Sequence, residues 1–436
     1  MLKIKHGGIH PDDNKDLTAN KQIETLPIPA KLIIPVKQHI GAPCSPIVKI
    51  GDLVKKGQVL AEDIAKKAPP IHSPSSGKII DIGNYPHPIF GIAQSIVIET
   101  DGIDEWLPGL LTERNIDDLS ATQLIELIFQ NGIVGLGGAA FPVATKLQPP
   151  KDKTIDTIII NGAECEPYLT ADYRVMLEYP ELLLQGCKII MKILNVQNCI
   201  IGIEDNKPKA IKLLKKLGKP YGIKVITLKT LYPQGGEKMM INVITGKEIP
   251  SGKLPMDVGC VVQNVTTCMA IANAVLKNIP LIERIVTVSG KTIVKPKNVL
   301  AKIGTSFKDA IDFCGGFSST PDRILMGGPM MGIAQGTIDT VIVKASSGIL
   351  ALSKKDIDNS VERPCIRCGR CVDACTMRLR PNVLSMLSEK HKHKTALVEY
   401  DLLDCVECGC CSFVCPAKRN IVHYIKLSKA KNLNSK

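Results

Sequence analysis

The hydrophobic pattern changes period from one stretch of the chain to the next. Residues 1–30 are polar and broken by turn formers (Gly7, Gly8, Pro11, Asp12, Asp13, Asn14, Pro27, Pro29), and read as an extended lead-in. From 31 to about 115, short apolar runs at 47–50, 59–60, 78–82 and 96–98 alternate with turn pairs such as Gly51 with Asp52 and Lys56 with Gly57, the pattern of a small β-domain. Leu124, Ile125, Leu127 and Ile128 then recur at helical spacing. Across 116–280, strand patterns at 157–160, 199–203 and 223–228 alternate with helix patterns at 174–194, at 208–217 and from Gly236. That alternation predicts a parallel sheet covered by helices, with ligands at the carboxyl ends of the strands. From 281 to 345 the pattern is β-like again at 286–289 and 293–294, with a short helix near 306–313 and a turn at Gly327, Gly328 and Pro329. The expected fold class is multidomain α/β.

Within the first β-domain, GDLVKKGQVLA (51–61) and HSPSSG (72–77) resemble the lipoyl/biotinyl-carrier barrel-sandwich. That fold carries its swinging-arm lysine at a hairpin tip. Lys66 and Lys67 are near, but the Asp-Lys and Met-Lys-Met contexts are missing, so a structural barrel is expected over 31–115.

Two cysteine runs end the patterned chain: CIRCGRCVDAC over 365–375 and CVECGCCSFVC over 405–415. Each contains C-x2-C-x2-C-x3-C, the spacing by which bacterial ferredoxin modules hold a [4Fe–4S] cube. Three thiolates two residues apart reach three corners only if the backbone coils tightly, which suits Gly369 and Gly409. In paired modules the fourth cysteine ligates the other cube. The expected ligand sets are therefore Cys365, Cys368, Cys371 and Cys415 for one cluster, and Cys405, Cys408, Cys411 and Cys375 for the other, with Cys410 spare. Thr376 stands where a proline commonly follows the fourth cysteine. Zinc knuckles seldom have a third cysteine at this spacing, and disulfides need an oxidising compartment. The predicted unit is a two-cluster, ferredoxin-like helical domain over 355–425, followed by a basic tail at 426–436.

Between the helix of 121–131 and the first strand of the α/β region lies GIVGLGGAAFP (132–142), with Lys146 after it. Residues 135–140 satisfy G-x-G-x-x-A, yet a dinucleotide fingerprint follows a strand and this one follows a helix. It reads instead as a glycine-rich loop that bares backbone N–H groups to a phosphate, with Lys146 supplying charge. Three polar segments fall near strand ends: NGAECEPY (161–168), YPQGGEK (232–238) and VQNVTT (262–267). Together with the loop they favour a phosphate-bearing cofactor.

Charge and composition bound the partners. The chain has 55 Lys and Arg against 42 Asp and Glu, a formal +13. Residues 354–436 hold 16 basic against 9 acidic residues. A basic face suits anionic lipid, an acidic electron carrier or nucleic acid. No helix-turn-helix or aromatic-interleaved basic stretch supports the last, so no nucleic-acid partner is expected. The seven of 16 cysteines outside the two runs are scattered and apolar-flanked, as expected in a reducing compartment. The best membrane-span candidate, 258–276, carries Gln263, Asn264 and Asn273 and is too polar to cross lipid unaided. A soluble or peripheral protein is expected.

The ordered motifs resemble the RnfC component of Rnf-type ion-translocating electron-transport complexes along most of the chain. They are GGIHP (7–11) with the barrel, GLGGAAFP (135–142), AECEPY (163–168), YPQG (232–235), a β-grasp-like module and the paired cysteine runs. The middle is similar to the flavin- and NADH-binding subunit of respiratory complex I. That resemblance implies FMN, with Gly135, Gly137, Gly138 and Lys146 around its phosphate. It implies Asn161, Glu164, Gly235, Glu237 and Asn264 lining the flavin, and Glu166 facing the nicotinamide of NADH. The chain departs from the complex I pattern at Ala163 and Gly236, where that pattern is acidic, and at Leu136, which has no arginine after it. The function implied is that of a peripheral subunit admitting electrons from NADH through FMN to two [4Fe–4S] clusters. Its implied partners are integral-membrane and other subunits of the same complex, at the cytoplasmic face of the bacterial inner membrane. Family members often carry a long Ala/Lys-rich tail after the clusters; the sequence ends at Lys436.

Overall fold

The computed structural model describes residues 1–65 and 67–433. A barrel-sandwich comes first. A four-stranded sheet orders Lys31–Pro35, Gly91–Thr100, Gly77–His87 and Leu53–Val54, and a three-stranded sheet orders Ser45–Pro46, Val59–Glu62 and Ile71–His72. Leu32, Ile34, Leu60, Ile71, Ile79, Ile96 and Ile98 fill the space between them. The apolar run at 47–50 is not a strand: pairing stops at Pro46, and Ile47 and Ile50 turn outward. Lys66 lies outside the described residues, and Lys67 is exposed on the loop before Ile71–His72.

The central sheet is fully parallel, in the order Lys224–Leu228, Cys199–Glu204, Thr157–Gly162 and Cys260–Asn264. The chain builds outward from Thr157–Gly162 on one side, then crosses to place Cys260–Asn264 on the other. The switch point of this doubly wound sheet therefore lies between those two strands, where a crevice opens beyond their carboxyl ends. Asn161 and Asn264 sit opposite each other in register at that crevice.

The expected helix at 174–194 is two helices, Ala171–Glu178 and Pro180–Leu194. Pro180 cannot continue a helix but suits a first turn, so the chain bends at Tyr179 and restarts. The second helix packs on Val265–Lys277 so closely that a Cβ at Gly186 would lie 1.9 Å from the Cys268 carbonyl oxygen. Gly186→Ala is accordingly expected to cost about 3 kcal/mol or more, read as a lowered urea midpoint with unchanged slope.

A six-stranded sheet follows, ordered Ile23–Thr25, Lys297–Lys302, Glu283–Ser289, Gly348–Leu352, Arg323–Met326 and Ile333–Ala334. The run at 293–294 contributes only an isolated bridge, Ile293 to Phe317. The first strand comes from the lead-in, which is more than a tether. Leu2 bridges to Leu228 and Ile9 to Tyr232, and Gly8 donates to the Ala374 carbonyl at 3.1 Å. The lead-in thus straps the central sheet to the cysteine domain. That domain packs Pro381–Glu389, His393–Glu399 and Ile421–Leu433 around Leu384, Ala396, Leu402, Ile421 and Ile425.

Candidate functional site

The glycine-rich loop closes on itself through the Gly135 amide and the Phe141 carbonyl, 2.8 Å apart, and its crest at 137–139 is exposed. Its floor is Asn264: a Cβ at Gly137 would stand 3.3 Å from the Asn264 Cβ. Asn264 caps Val265–Lys277, its Oδ1 accepting from the Thr266 and Thr267 amides, while its Nδ2 donates to Asp172 at 2.6 Å. The Thr266 hydroxyl reaches the other oxygen of Asp172, also at 2.6 Å. The Leu136 amide donates to the Thr267 hydroxyl at 2.9 Å. The loop is therefore tied to a helix N-terminus at the switch point, the place where backbone dipoles favour an anion.

Across the crevice, Asn161 donates to the Gly235 carbonyl at 2.8 Å and accepts from the Ala163 amide at 3.1 Å. Lys146 pairs with Glu237 at 2.6 Å, joining the loop side to the 232–238 segment. Gly135, Gly137, Gly138, Lys146, Asn161, Gly235, Glu237 and Asn264 thus share one crevice. Glu164 and Glu166 are engaged otherwise. The Glu164 carboxylate accepts from the Asp172 and Tyr173 amides and caps Ala171–Glu178. The Glu166 carboxylate accepts from the Met330 and Met331 amides at 3.1 and 2.8 Å, clamping a turn of the six-stranded domain. Lys15 of the lead-in binds the carbonyls of Glu164, Glu166 and Leu169 and holds that segment from beneath.

Burial raises Glu166 from 4.5 to about 7. Folded protein then keeps a proton that the unfolded chain releases between those values. Stability should fall as pH rises through that window, by roughly 3 kcal/mol, and level off above it. Burial raises Glu164 to about 7 as well. Glu166→Gln should therefore reduce the observed slope by about half, not abolish it, in urea titrations run from pH 4.5 to 7.5; an unchanged slope would assign it elsewhere.

The cysteines line two cavities. Cys365, Cys368, Cys371 and Cys415 surround one; Cys375, Cys405, Cys408 and Cys411 surround the other, with Cys410 also in its wall. Gly369 and Gly409 both adopt left-handed conformations, φ 80° and 85°, as the tight coil around each cavity requires. Among the described residues no three His, Cys, Asp or Glu side chains converge on a single-ion position. The sulfurs enclose a space rather than meet at a point, and four thiolates per space suit a cubane cluster.

Tyr232 joins the two halves. It is 2% exposed, and its hydroxyl donates to the Cys408 carbonyl at 2.7 Å. Cys410 donates weakly to the Tyr232 carbonyl, so it packs here rather than facing the first cavity. Three residues on, Gly235 accepts from Asn161. The cavity of Cys375, Cys405, Cys408 and Cys411 therefore abuts the crevice segment, whereas the other cavity has the exposed Cys368 on its rim. In sequence Tyr232 is one member of a polar motif and carries no evident role. Asp172 and Arg284 are not singled out by any pattern; they look like ordinary helix and strand residues until the fold brings them to the loop.

Side chains of this kind hold and orient, and the chemistry falls to bound groups that accept and pass on electrons. The chain is thus of the flavin and iron–sulfur electron-transfer class. Family models divide it accordingly: the RnfC barrel sandwich hybrid domain matches 3–103, the Nuo51 FMN-binding domain 128–273, the SLBB domain 285–334 and the 4Fe-4S dicluster domain 364–418. The C subunit of the proton-translocating ferredoxin:NAD(+) oxidoreductase complex of Clostridium ljungdahlii is 58% identical over 432 residues, 99% of this chain and 94% of that one. Its Na(+)-translocating counterpart from Acetobacterium woodii is 42% identical over 98% of both chains. The C subunit of the ion-translocating oxidoreductase complex of Rhodobacter capsulatus is 43% identical over 86% of this chain and 73% of the relative. Among solved structures, an NAD+-reducing [NiFe]-hydrogenase in its air-oxidized state shares the fold, with a TM-score of 0.50 at 16% identity, over 65% of this chain and 55% of that one. The chain belongs to the RnfC family, the C subunits of ion-translocating oxidoreductase complexes.

Proposed function

We propose that the chain is the peripheral subunit through which an ion-translocating ferredoxin:NAD+ oxidoreductase exchanges electrons with NAD(H), at the cytoplasmic face of the membrane. Among the described residues no helix is long and apolar enough to cross a bilayer. FMN, when bound, exchanges a hydride with the nicotinamide and single electrons with the clusters. The chain's own residues do the placing. The loop of Gly135, Gly137 and Gly138 takes the phosphate, with Lys146 adding charge from its pair with Glu237. Asn161 and Asn264, fixed by Gly235 and Asp172, line the ring site from adjacent strands. Glu164 and Glu166 shape the segment that faces the nicotinamide by holding a helix and a turn in place.

Eight cysteines hold the two clusters in the crossed sets, and the hydroxyl of Tyr232 on the Cys408 carbonyl carries the reading. That contact couples the crevice segment to one centre, which makes the Cys405 run the nearer station and the Cys365 run the outer one. Anaerobic, reconstituted protein should show flavin reduction and cluster bleaching on adding NADH. Bleaching by dithionite with none by NADH would reject it in favour of a chain that receives electrons only from a partner.

A further inference from the structure

Two buried cations hold the glycine-rich loop from behind. Arg284, on strand Glu283–Ser289, is 2% exposed and donates from Nη2 to the Leu136 carbonyl at 2.5 Å. Lys344 is 1% exposed and donates from Nζ to the Gly132 carbonyl at 2.7 Å and to Pro70 at 3.4 Å. Their acceptors are carbonyls, and Nε and Nη1 of Arg284 have no hydrogen-bond partner among the described residues. Asp172 is the acid whose charge acts on Arg284, but its own oxygens are taken by Asn264 and Thr266. Around Lys344 stand Cys44, His39 and His72: burial raises the Cys44 thiol and so keeps it neutral, and an imidazole offers no negative charge. Burying positive charge with no carboxylate bonded directly to it is costly, and a second negative charge close by would offset that cost.

Peptide geometry says where it arrives. In a trans peptide the C=O and N–H point in opposite directions. With the Leu136 carbonyl turned back onto Arg284, the Gly137 amide of the same peptide points away from it. The Leu136 amide is pinned in turn by Thr267, so this stretch of the loop cannot rotate freely. The residue between the glycines is Leu136, so the loop brings no charge of its own there, and Lys146 shares the charge it adds with Glu237.

We propose that Arg284 and Lys344 are positioning residues for a phosphate on the loop. Both anchor carbonyls of the loop, Arg284 turns the Gly137 amide outward, and together they set positive charge with no carboxylate bonded to it behind the anion. The phosphate meant is that of the flavin, so the proposal rests on the flavin-binding function and names how this chain selects the phosphorylated form.

FMN and riboflavin share the ring and differ in the phosphate, so their affinities separate this role from a purely structural one. Both are titrated by fluorescence into the full chain with clusters reconstituted anaerobically, as wild type, Arg284→Gln, Arg284→Lys and Lys344→Met. FMN binding should weaken at least about tenfold in Arg284→Gln and Lys344→Met, with riboflavin binding unchanged, and Arg284→Lys should keep most of the preference. Equal loss of both flavins, or no loss of FMN, overturns the proposal. Should Arg284→Gln not fold, Lys344→Met decides by the same comparison. Wild type binding neither flavin would instead defeat the flavin-binding function itself.

Discussion

Cys408→Ser should lose about half the iron and leave a protein whose remaining cluster NADH no longer reduces, although its flavin still bleaches. Cys368→Ser should lose as much iron, yet the cluster it keeps should still be reduced by NADH. The asymmetry follows from position. Cys408 belongs to the cavity whose wall meets Tyr232, and Tyr232 lies three residues from the Gly235 carbonyl held by Asn161. Cys368 lies on the exposed rim of the other cavity, which makes no such contact with that segment. Removing the inner centre therefore breaks the series, and removing the outer one only shortens it. Anaerobic stopped-flow at flavin and cluster wavelengths, with iron analysis on the same samples, reads both effects. Two variants that behave alike towards NADH would show that the Cys405 run is not the station nearer the flavin.

The cysteine domain was legible because its chemistry is local. Four ligands within eleven residues must coil, and a glycine after the second cysteine marks where. The parallel sheet was legible too, since 157–160, 199–203 and 223–228 alternate with helices. What escaped depends on contacts between distant segments. Arg284 reads as a charge leading into a strand, and only the docking of the six-stranded domain sets it under Leu136, 148 residues away. The lead-in reads only as an extended polar segment because its backbone partners, Tyr232 and Ala374, are far off in sequence. Glu164 and Glu166 stand in a motif rich in acids and invite a ligand role. Their oxygens also satisfy backbone amides of a helix and a turn, which no pattern in one chain reveals. The unbroken helix expected at 174–194 failed because apolar spacing outweighed Pro180, although a proline at that point allows a fresh start as well as a stop.

Gly137→Val should weaken FMN binding about a hundredfold, near 3 kcal/mol, while leaving the melting temperature close to that of wild type. The crest of the loop is exposed, so little packing is lost within the fold itself. On the crevice side there is no slack. The first added carbon would meet the Asn264 Cβ at 3.3 Å, tighter than an ordinary contact. Asn264 cannot retreat without giving up its two helix-capping bonds and its 2.6 Å bond to Asp172. The branched side chain must then swing over the crest, into the space where a phosphate approaches the backbone amides. Gly137→Ala adds only the one carbon and should cost several-fold, giving a graded series. Flavin retained by the valine variant after gel filtration, at wild-type stoichiometry, would show that the phosphate is held elsewhere.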